Sequence, residues 1–204
     1  MSNSPRQPLA QARANCERFV KLFEGTFLSW TVAGSVRRCK PMVGDVEHVI
    51  IPESGIVTDG LFGKPGSLVL ERADTLVRTG VISKAIYSDG KNRWGDKYRG
   101  VVFEGVRHEL FMADRDNFGA ILAIRTGPAE FSERLVTILK QGGKYRQADG
   151  YVRRTSEGGG VDFSRDGLVP VPNEATFFKL CGMPPLAPEQ RDAYVDSLKG
   201  CQEV

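Results

Sequence analysis

Apolar residues recur every three or four positions in five stretches of the chain, and this spacing is typical of amphipathic helices. The first stretch runs from Pro8 to a predicted stop at Gly25. The second covers residues 68–79, with Ser67 as the predicted N-cap and Gly80 as the stop. The same pattern predicts three more helices, over residues 118–124, 129–141 and 173–182.

Other stretches alternate apolar and polar residues, and this alternation predicts strands. Leu28, Trp30 and Val32 alternate with polar neighbours. We predict further strands over residues 45–51, 82–87, 98–103 and 106–112, and a basic hairpin over residues 144–154. The glycine-rich residues 53–66 are predicted to be a connector without regular structure.

The most informative stretch is residues 33–47, Ala-Gly-Ser-Val-Arg-Arg-Cys-Lys-Pro-Met-Val-Gly-Asp-Val-Glu. Its glycine-serine turn offers backbone N–H groups and a hydroxyl to phosphate oxygens, and Arg38 offers a planar guanidinium. Asp45 and Glu47 lie two residues apart on a predicted strand, so they share a face. Such a pair of acids is useful when divalent metals bridge it to nucleotide phosphates. The alternative is two ordinary exposed acids after a tight turn.

Two nearby side chains have a structural and a functional interpretation. His48 follows the acids but faces the other side of the strand, so we interpret it as a buried or hydrogen-bonded residue, with a ligand role as the alternative. Trp30 is interpreted as a core residue, with base stacking as the alternative. Trp94, among several cations, fits base stacking and loop packing equally well.

Composition and charge narrow the class of protein only slightly. The chain has 204 residues and a net charge of +3, which suits one domain or a catalytic lobe with a small appendage and neither demands nor excludes nucleic acid. Residues 134–154 hold six Lys or Arg against one Asp. This run is either a solvated face or a surface that binds the phosphate backbone of a nucleic acid.

Cysteine spacing and hydropathy indicate the compartment. The four cysteines, Cys16, Cys39, Cys181 and Cys201, show no paired metal-ligand spacing. We interpret them as thiols in a reducing compartment, with a Cys181–Cys201 bridge as the alternative. We expect neither a signal peptide nor a membrane span, and therefore a cytoplasmic protein. A bacterial, phage or viral origin is compatible with this expectation.

Residues 33–47 resemble the nucleotidyltransferase signature of the X family of DNA polymerases, Gly-Ser-x-Arg-Arg followed by Gly-Asp-x-Asp. The resemblance extends from about residue 30 to about residue 191. Arg107-His108-Glu109 takes the place of the Arg-x-Asp that carries the family's third acid, with an edge-strand surface Glu109 as the alternative. Residues 172–191 resemble the end of the family's thumb, and Arg125-Thr126-Gly127-Pro128 resembles its hinge.

The resemblance implies an α+β fold. A nucleotidyltransferase palm with a mixed sheet and flanking helices is expected over residues 1–125, and a small thumb subdomain over residues 126–204. The family's lyase and helix-hairpin-helix modules are expected to be absent. The family also has a cis peptide after the hinge glycine, which Pro128 would permit. Pro128 as the first residue of a helix is the alternative.

The chemistry implied by the resemblance is the transfer of a nucleotide to a DNA 3′-hydroxyl, in gap filling or DNA repair. The implied partners are nucleoside triphosphates and primer-template or gapped DNA, bound by a monomer without a membrane. The implied cofactor is magnesium, with manganese as the alternative. The implied sites are the catalytic metal ligands Asp45, Glu47 and Glu109, the nucleotide-binding residues Gly34, Ser35, Arg38 and Gly44, and the DNA-binding residues Arg107, Arg134, Lys140, Lys144 and Arg146.

Two departures from the family pattern bear on this function. Glu47 and Glu109 stand where the family carries Asp, so each carboxylate sits one methylene further from the backbone, which favours slower chemistry or manganese. Ile124-Arg125 replaces the aromatic pair that screens the sugar. The alternative functions are a nucleotidyltransferase for an RNA, small-molecule or protein acceptor, and a degenerate polymerase that only binds DNA.

Overall fold

The computed structural model describes residues 6–59, 62–156 and 158–200, and the chain divides into two compact units. The first unit comprises Met1–Val36 and Lys40–Ala113, and the second comprises Arg37–Cys39 and Asp114–Val204. The sequence placed the palm–thumb division after residue 125, whereas residues 114–125 belong to the second unit. The reason is that helix residues Ala120 and Ala123 are buried in the second unit's core.

The first unit is built around a five-stranded mixed sheet. Its helices are α1 (Leu9–Lys21), α2 (Gly34–Arg37, whose last residue belongs to the second unit) and α3 (Leu68–Arg78). Its strands are β1 (Gln7–Pro8), β2 (Phe27–Val32), β3 (Met42–Val43), β4 (Val46–Pro52), β5 (Ser54–Asp59), β6 (Phe62–Ser67), β7 (Ser83–Lys84), β8 (Tyr98–Phe103) and β9 (Val106–Met112). The sheet order is β2-β4-β9-β8-β7, and only β4 and β9 run parallel.

Helices α1 and α3 supply apolar side chains to the core of this unit. Phe19 of α1 and Phe23, two residues after its end, are fully buried with Val69 and Ala73 of α3 against the sheet. The hydroxyl of Ser67 accepts a hydrogen bond from the backbone N–H of Leu70 at 3.3 Å, so the predicted N-cap is confirmed. The helical periodicity therefore predicted both helices correctly.

The prediction of an irregular connector over residues 53–66 is wrong for the described residues 54–59 and 62–66. Strands β5 and β6 form an antiparallel hairpin in which Gly55 pairs with Gly66 and Ile56 with Pro65. Glycine and proline were interpreted as breakers, but a two-stranded hairpin leaves one side of each strand without a pairing partner, and proline is tolerated there. The predicted strand over residues 82–87 shortens to β7, followed by an isolated bridge between Ile86 and Asn92.

In its described residues, the second unit packs four α-helices with a small sheet. The helices are α4 (Phe118–Thr126), α5 (Ala129–Gln141), α6 (Glu174–Leu180) and α7 (Arg191–Gly200). Strands β10 (Tyr145–Ala148), β11 (Tyr151–Arg154) and β12 (Leu168–Val169) form an antiparallel sheet in that order. The predicted hairpin and the helices α4, α5 and α6 are confirmed, whereas α7 was not predicted.

The Gly127–Pro128 bond resolves one of the open alternatives. No cis peptide bond occurs among the described residues, and Pro128 is the residue that immediately precedes α5. The expectation of a cis bond is therefore wrong. Pro128 is instead the N-cap residue of α5, one position before the place that the alternative gave it, and its fixed φ of −62° is compatible with a helix start.

The described part of the chain is therefore an α+β protein with a mixed sheet, as predicted. None of its helices is long and apolar enough to cross a membrane. Cys16 and Cys181 are buried thiols and Cys39 is exposed, while Cys201 lies outside the described residues.

Candidate active site on the five-stranded sheet

The two predicted glutamates lie side by side on the only parallel pair of strands in the described sheets. Glu47 of β4 and Glu109 of β9 are register partners. Paired residues of neighbouring strands point to the same face, so the two carboxylates share a face of the sheet. Asp45 lies one residue before β4, two positions from Glu47, and is aligned with Arg107 of β9 by the same register. Acids separated by more than 60 positions in sequence are thus brought to one face.

Arg107 bridges two of the three acids. Its Nη2 donates a hydrogen bond to Oδ2 of Asp45 at 3.0 Å. Its Nε lies 3.2 Å from Oε1 of Glu109, an ion pair in which the N–H is not directed at the oxygen. Burial lowers the pKa of Arg107, but the hydrogen bond to Asp45 and the charge of Glu109 outweigh it, so the pKa is raised. The guanidinium therefore stays charged between the acids.

The turn at Gly34 lies directly against Glu47. Gly34 has a φ of +62°, and a Cβ built on it would come within 2.1 Å of Oε2 of Glu47. The backbone N–H of Ala33 donates to the carbonyl of Glu47 at 2.8 Å. Only glycine allows this approach. The geometry thus joins the turn of the signature to its second acid, while nucleotide binding by Gly34, Ser35 and Gly44 stays a prediction.

The two signature arginines, Arg37 and Arg38, form hydrogen bonds and ion pairs with residues of the second unit. Nε of Arg38 lies 3.0 Å from Oδ2 of Asp192, and its Nη1 donates to the carbonyl of Thr126 at 2.6 Å. Arg37 makes a bidentate pair with Glu174 at 2.8 and 2.6 Å. The structure therefore assigns Arg38 two protein partners, and its predicted binding of phosphate stays a prediction.

Glu174 is a residue that the sequence reasoning missed. Arg191, which is fully buried, contacts its Oε1 at 2.9 Å, so one carboxylate lies between two guanidinium groups. Burial raises the pKa of Glu174, but the hydrogen bond from Arg37 and the charge of Arg191 outweigh it, and the pKa is lowered. No local pattern reveals such a cluster, because Arg37, Glu174 and Arg191 are far apart in sequence.

The predicted DNA-binding residues of the second unit lie on α5 and the following hairpin. Arg134, Lys140 and Lys144 are exposed. Arg146 donates hydrogen bonds to the carbonyls of Lys140 at 2.6 Å and of Tyr145 at 2.9 Å. Arg146 therefore contacts the end of α5. The other three fit both a solvated face and a phosphate-binding surface.

The predicted metal ligands have the right chemistry but are not assembled as a three-ligand cluster. Among the described residues, no three His, Cys, Asp or Glu side chains lie close enough together to hold an ion. Asp45, Glu47 and Glu109 nevertheless offer only carboxylate oxygens, the ligands that magnesium prefers. With Arg107 these side chains carry a formal charge of −2. The donor set fits a divalent cation, and metal binding stays a prediction.

The opposite face of the same strands carries a buried hydrogen-bonded chain. Nε1 of Trp30 donates to Nδ1 of His48 at 2.8 Å, Nε2 of His48 lies 2.9 Å from Nδ1 of His108, and Nε2 of His108 lies 2.7 Å from Oδ1 of Asn15. Because the indole can only donate, each imidazole must be a neutral Nε2–H tautomer that donates to the next member. The structural interpretations of His48 and Trp30 are thus confirmed.

Burial determines the charge of this histidine pair. Burial, with a smaller contribution from His108, lowers the pKa of His48 well below its ordinary value, and burial lowers the pKa of His108 to about 3. Both imidazoles are therefore neutral near pH 7, as the tautomers require. Trp94 has contacts that fit loop packing: it donates to Asp74 at 2.9 Å and contacts the charged ends of Lys84 and Arg99. Its role in base stacking stays a prediction.

Fold and site together define an α+β protein whose sheet presents three acids and an arginine on one face. The chain is 28% identical to DNA polymerase lambda from Rattus norvegicus over 199 residues, which are 92% of this chain and 33% of that protein. The chain thus spans about a third of the length of the curated relative it matches. No family model matches the chain. The likeness supports a distant relationship to an X-family polymerase.

Proposed function

We propose that this chain is a DNA polymerase-like nucleotidyltransferase that adds nucleotides to a DNA 3′-hydroxyl in gap filling or repair. The observation that carries the proposal is the register pairing of Glu47 with Glu109 on parallel strands, with Asp45 on the same face. On a surface unrelated to the signature, we would not expect the acids at these three sequence positions to share one face. The distant likeness to DNA polymerase lambda supports the same function.

The acids and the signature turn have different roles in this proposal. Asp45, Glu47 and Glu109 would hold magnesium, and the bound ions would stabilise the attacking and leaving oxygens of the phosphoryl transfer. Glu109 accepts the proton of the 3′-hydroxyl. The turn at Gly34 and Ser35, with the Gly44 backbone, binds the triphosphate through N–H and O–H donors.

Arg107 holds the acids in place. Two roles are open to it: a contact with the primer phosphate, as the resemblance implies, and support of the acids. Its contacts at 3.0 Å with Asp45 and 3.2 Å with Glu109 favour the second role. A cation between two carboxylates reduces their mutual repulsion, so the acids stay close when no metal is bound.

Primer extension on DNA with a single-nucleotide gap tests this function. The protein is assayed with magnesium and then with manganese, beside Asp45→Ala and the control Asp96→Asn, which alters an exposed acid of the same unit. We expect template-matched addition that Asp45→Ala reduces by at least about a hundredfold and that Asp96→Asn leaves unchanged. Equal activity in wild type and Asp45→Ala would contradict the proposal, and untemplated addition would indicate a terminal transferase.

A second candidate is a DNA-binding protein without catalysis. It is favoured by the absence of a three-ligand cluster in the described part of the chain and by the arginine between two of the acids. The same assay separates the two candidates. Binding of gapped DNA that weakens steeply with salt, together with no incorporation under either metal, supports the binder.

A further inference from the structure

Two tyrosines contact the carboxylate of Glu109 in addition to Arg107. The hydroxyl of Tyr98 donates to Oε2 at 2.7 Å, and the hydroxyl of Tyr87 lies 3.3 Å from Oε1. The two hydroxyls also contact each other. With Arg107 near Oε1, both oxygens of Glu109 have partners. Rotation of the carboxylate about its last side-chain bond would break these contacts.

The hydroxyl protons can be ordered along this cluster. Tyr98 has one proton, and an ionised Glu109 can only accept, so Tyr98 donates to Glu109. The proton between the two hydroxyls must then come from Tyr87. The result is a chain from Tyr87 through Tyr98 to Glu109, in which each hydrogen bond polarises the next. Burial raises the pKa of both phenols, so they remain protonated donors.

Gly100 has no side chain, and this makes room for Tyr87. Gly100 of β8 is the register partner of Glu109. A Cβ built on Gly100 would come within 2.1 Å of the Tyr87 hydroxyl oxygen. No positive φ calls for glycine at this position. The Tyr87 side chain therefore passes over β8 at Gly100, where the strand has no side chain, and its hydroxyl reaches Glu109 on β9.

We propose that Tyr87 and Tyr98 are positioning residues that hold the Glu109 carboxylate in one orientation. The inference rests on the proposed function, in which Glu109 is the third acid. A glutamate has one more rotatable bond than an aspartate, so its carboxylate has more orientations to lose when it binds an ion. Fixing that carboxylate beforehand compensates for the longer side chain. Partners of metal ligands orient them in this way, and losing one typically costs about 10- to 100-fold in metal affinity.

A double-mutant cycle on unfolding tests the contact without any assay of activity. Tyr98→Phe, Glu109→Ala and the double variant are unfolded in urea beside the wild type. We expect the two sites to be coupled by about tenfold in the unfolding equilibrium constant, because a hydrogen bond to a charged group is among the stronger ones. Tyr87→Phe should couple to Glu109 more weakly, because the Tyr87 hydroxyl donates to Tyr98 and lies further from the carboxylate, at 3.3 Å. Coupling of Tyr98 to Glu109 below about twofold overturns the inference.

Binding of Mn²⁺ alone tests the role of the two tyrosines. The free ion is measured by its electron paramagnetic resonance signal in wild type, Tyr98→Phe, Tyr87→Phe and the control Tyr151→Phe. Tyr151 makes the same kind of contact, with Asp114, in the second unit. We expect Tyr98→Phe to weaken Mn²⁺ binding about tenfold or more, Tyr87→Phe to weaken it less, and Tyr151→Phe to leave it unchanged.

The outcomes separate the two proposals. If Tyr98→Phe binds Mn²⁺ as tightly as Tyr151→Phe while the wild type binds the ion, the positioning role is overturned and the proposed function stands. If the wild type binds no Mn²⁺ and extends no primer, the proposed function is overturned. In that case the coupling of Tyr98 to Glu109 still decides whether the contact orients the acid.

Discussion

Nε2 of His48 lies 2.9 Å from Nδ1 of His108 inside the first unit, and Phe19 stacks on both rings. Each histidine directly follows or precedes a glutamate of the candidate site on the same strand, and alternation places the acids on the opposite face. A slip of one residue between the strands would break the hydrogen bond and bury an acid. The histidine pair therefore holds the alignment of the two acid-bearing strands.

Removing one member of this pair should destabilise the protein. His108→Leu leaves the Nε2–H of His48 and the Oδ1 of Asn15 buried without partners, so we expect the free energy of unfolding to fall by about 3 kcal/mol. Urea unfolding at pH 7 measures the change. The double variant His48→Leu/His108→Leu should lose less than the sum of the two single variants. Additive losses would mean that the two imidazoles act independently.

The contact between Gly34 and Glu47 should be sensitive to one methyl group. Gly34→Ala adds a Cβ at a φ of +62° and displaces the Glu47 carboxylate, so we expect a loss of about 1–2 kcal/mol in stability and of most primer extension.

Gly80 provides a matched control for this change. It has a φ of +74°, and nothing lies within 4 Å of its built Cβ, so Gly80→Ala imposes similar backbone strain without touching an acid. Gly80→Ala should lose stability but keep its activity per folded molecule. Equal activity of the two variants, after correction for the folded fraction, would show that the position of Glu47 does not matter.

The pair of Glu174 with Arg37 and Arg191 should make stability depend on pH. The folded pKa of Glu174 is lowered, so its contribution is complete above the unfolded pKa of about 4.3 and is lost as the pH falls towards the folded value. We expect Glu174→Gln to cost about 3 kcal/mol at pH 7, because it removes the charge that compensates the buried guanidinium of Arg191 and the partly buried guanidinium of Arg37.

Urea unfolding of wild type and Glu174→Gln across a pH series checks this prediction. The difference between the two proteins should shrink as the pH falls from about 5 to about 3. Glu133→Gln, a change at an exposed acid of α5, should show no such dependence. A difference that stays constant over this range would mean that the ion pair does not stabilise the folded state.

The cysteines should differ in their reactivity. Burial raises the pKa of the Cys16 and Cys181 thiols to about 11, and the thiolate is the reactive form, so both should resist iodoacetamide at pH 8. Cys39 is exposed and should react much faster. Peptide mapping by mass spectrometry distinguishes the sites, and denatured protein provides the control. Alkylation of Cys16 at the rate of Cys39 would contradict the burial.

Local elements followed from the sequence wherever a periodic pattern was long. The extent of α5 was predicted without error, since apolar residues at helical spacing leave few alternatives. The hairpin β5–β6 was missed because glycine and proline weaken strand signals, although backbone pairing can still form. Helix α7 was missed because its predominantly polar sequence carries a weak apolar pattern.

The sequence by itself determined the helices, the strands and the face that each acid shares, because alternation along a strand is a local property of the backbone. Only the tertiary structure decided what those acids contact. The parallel pairing of β4 with β9 brings Glu47 beside Glu109, and the fold places Arg107 and two tyrosines on the carboxylates. Such contacts depend on which strands pair and in which register, and this is settled by packing across the whole unit rather than by neighbouring residues.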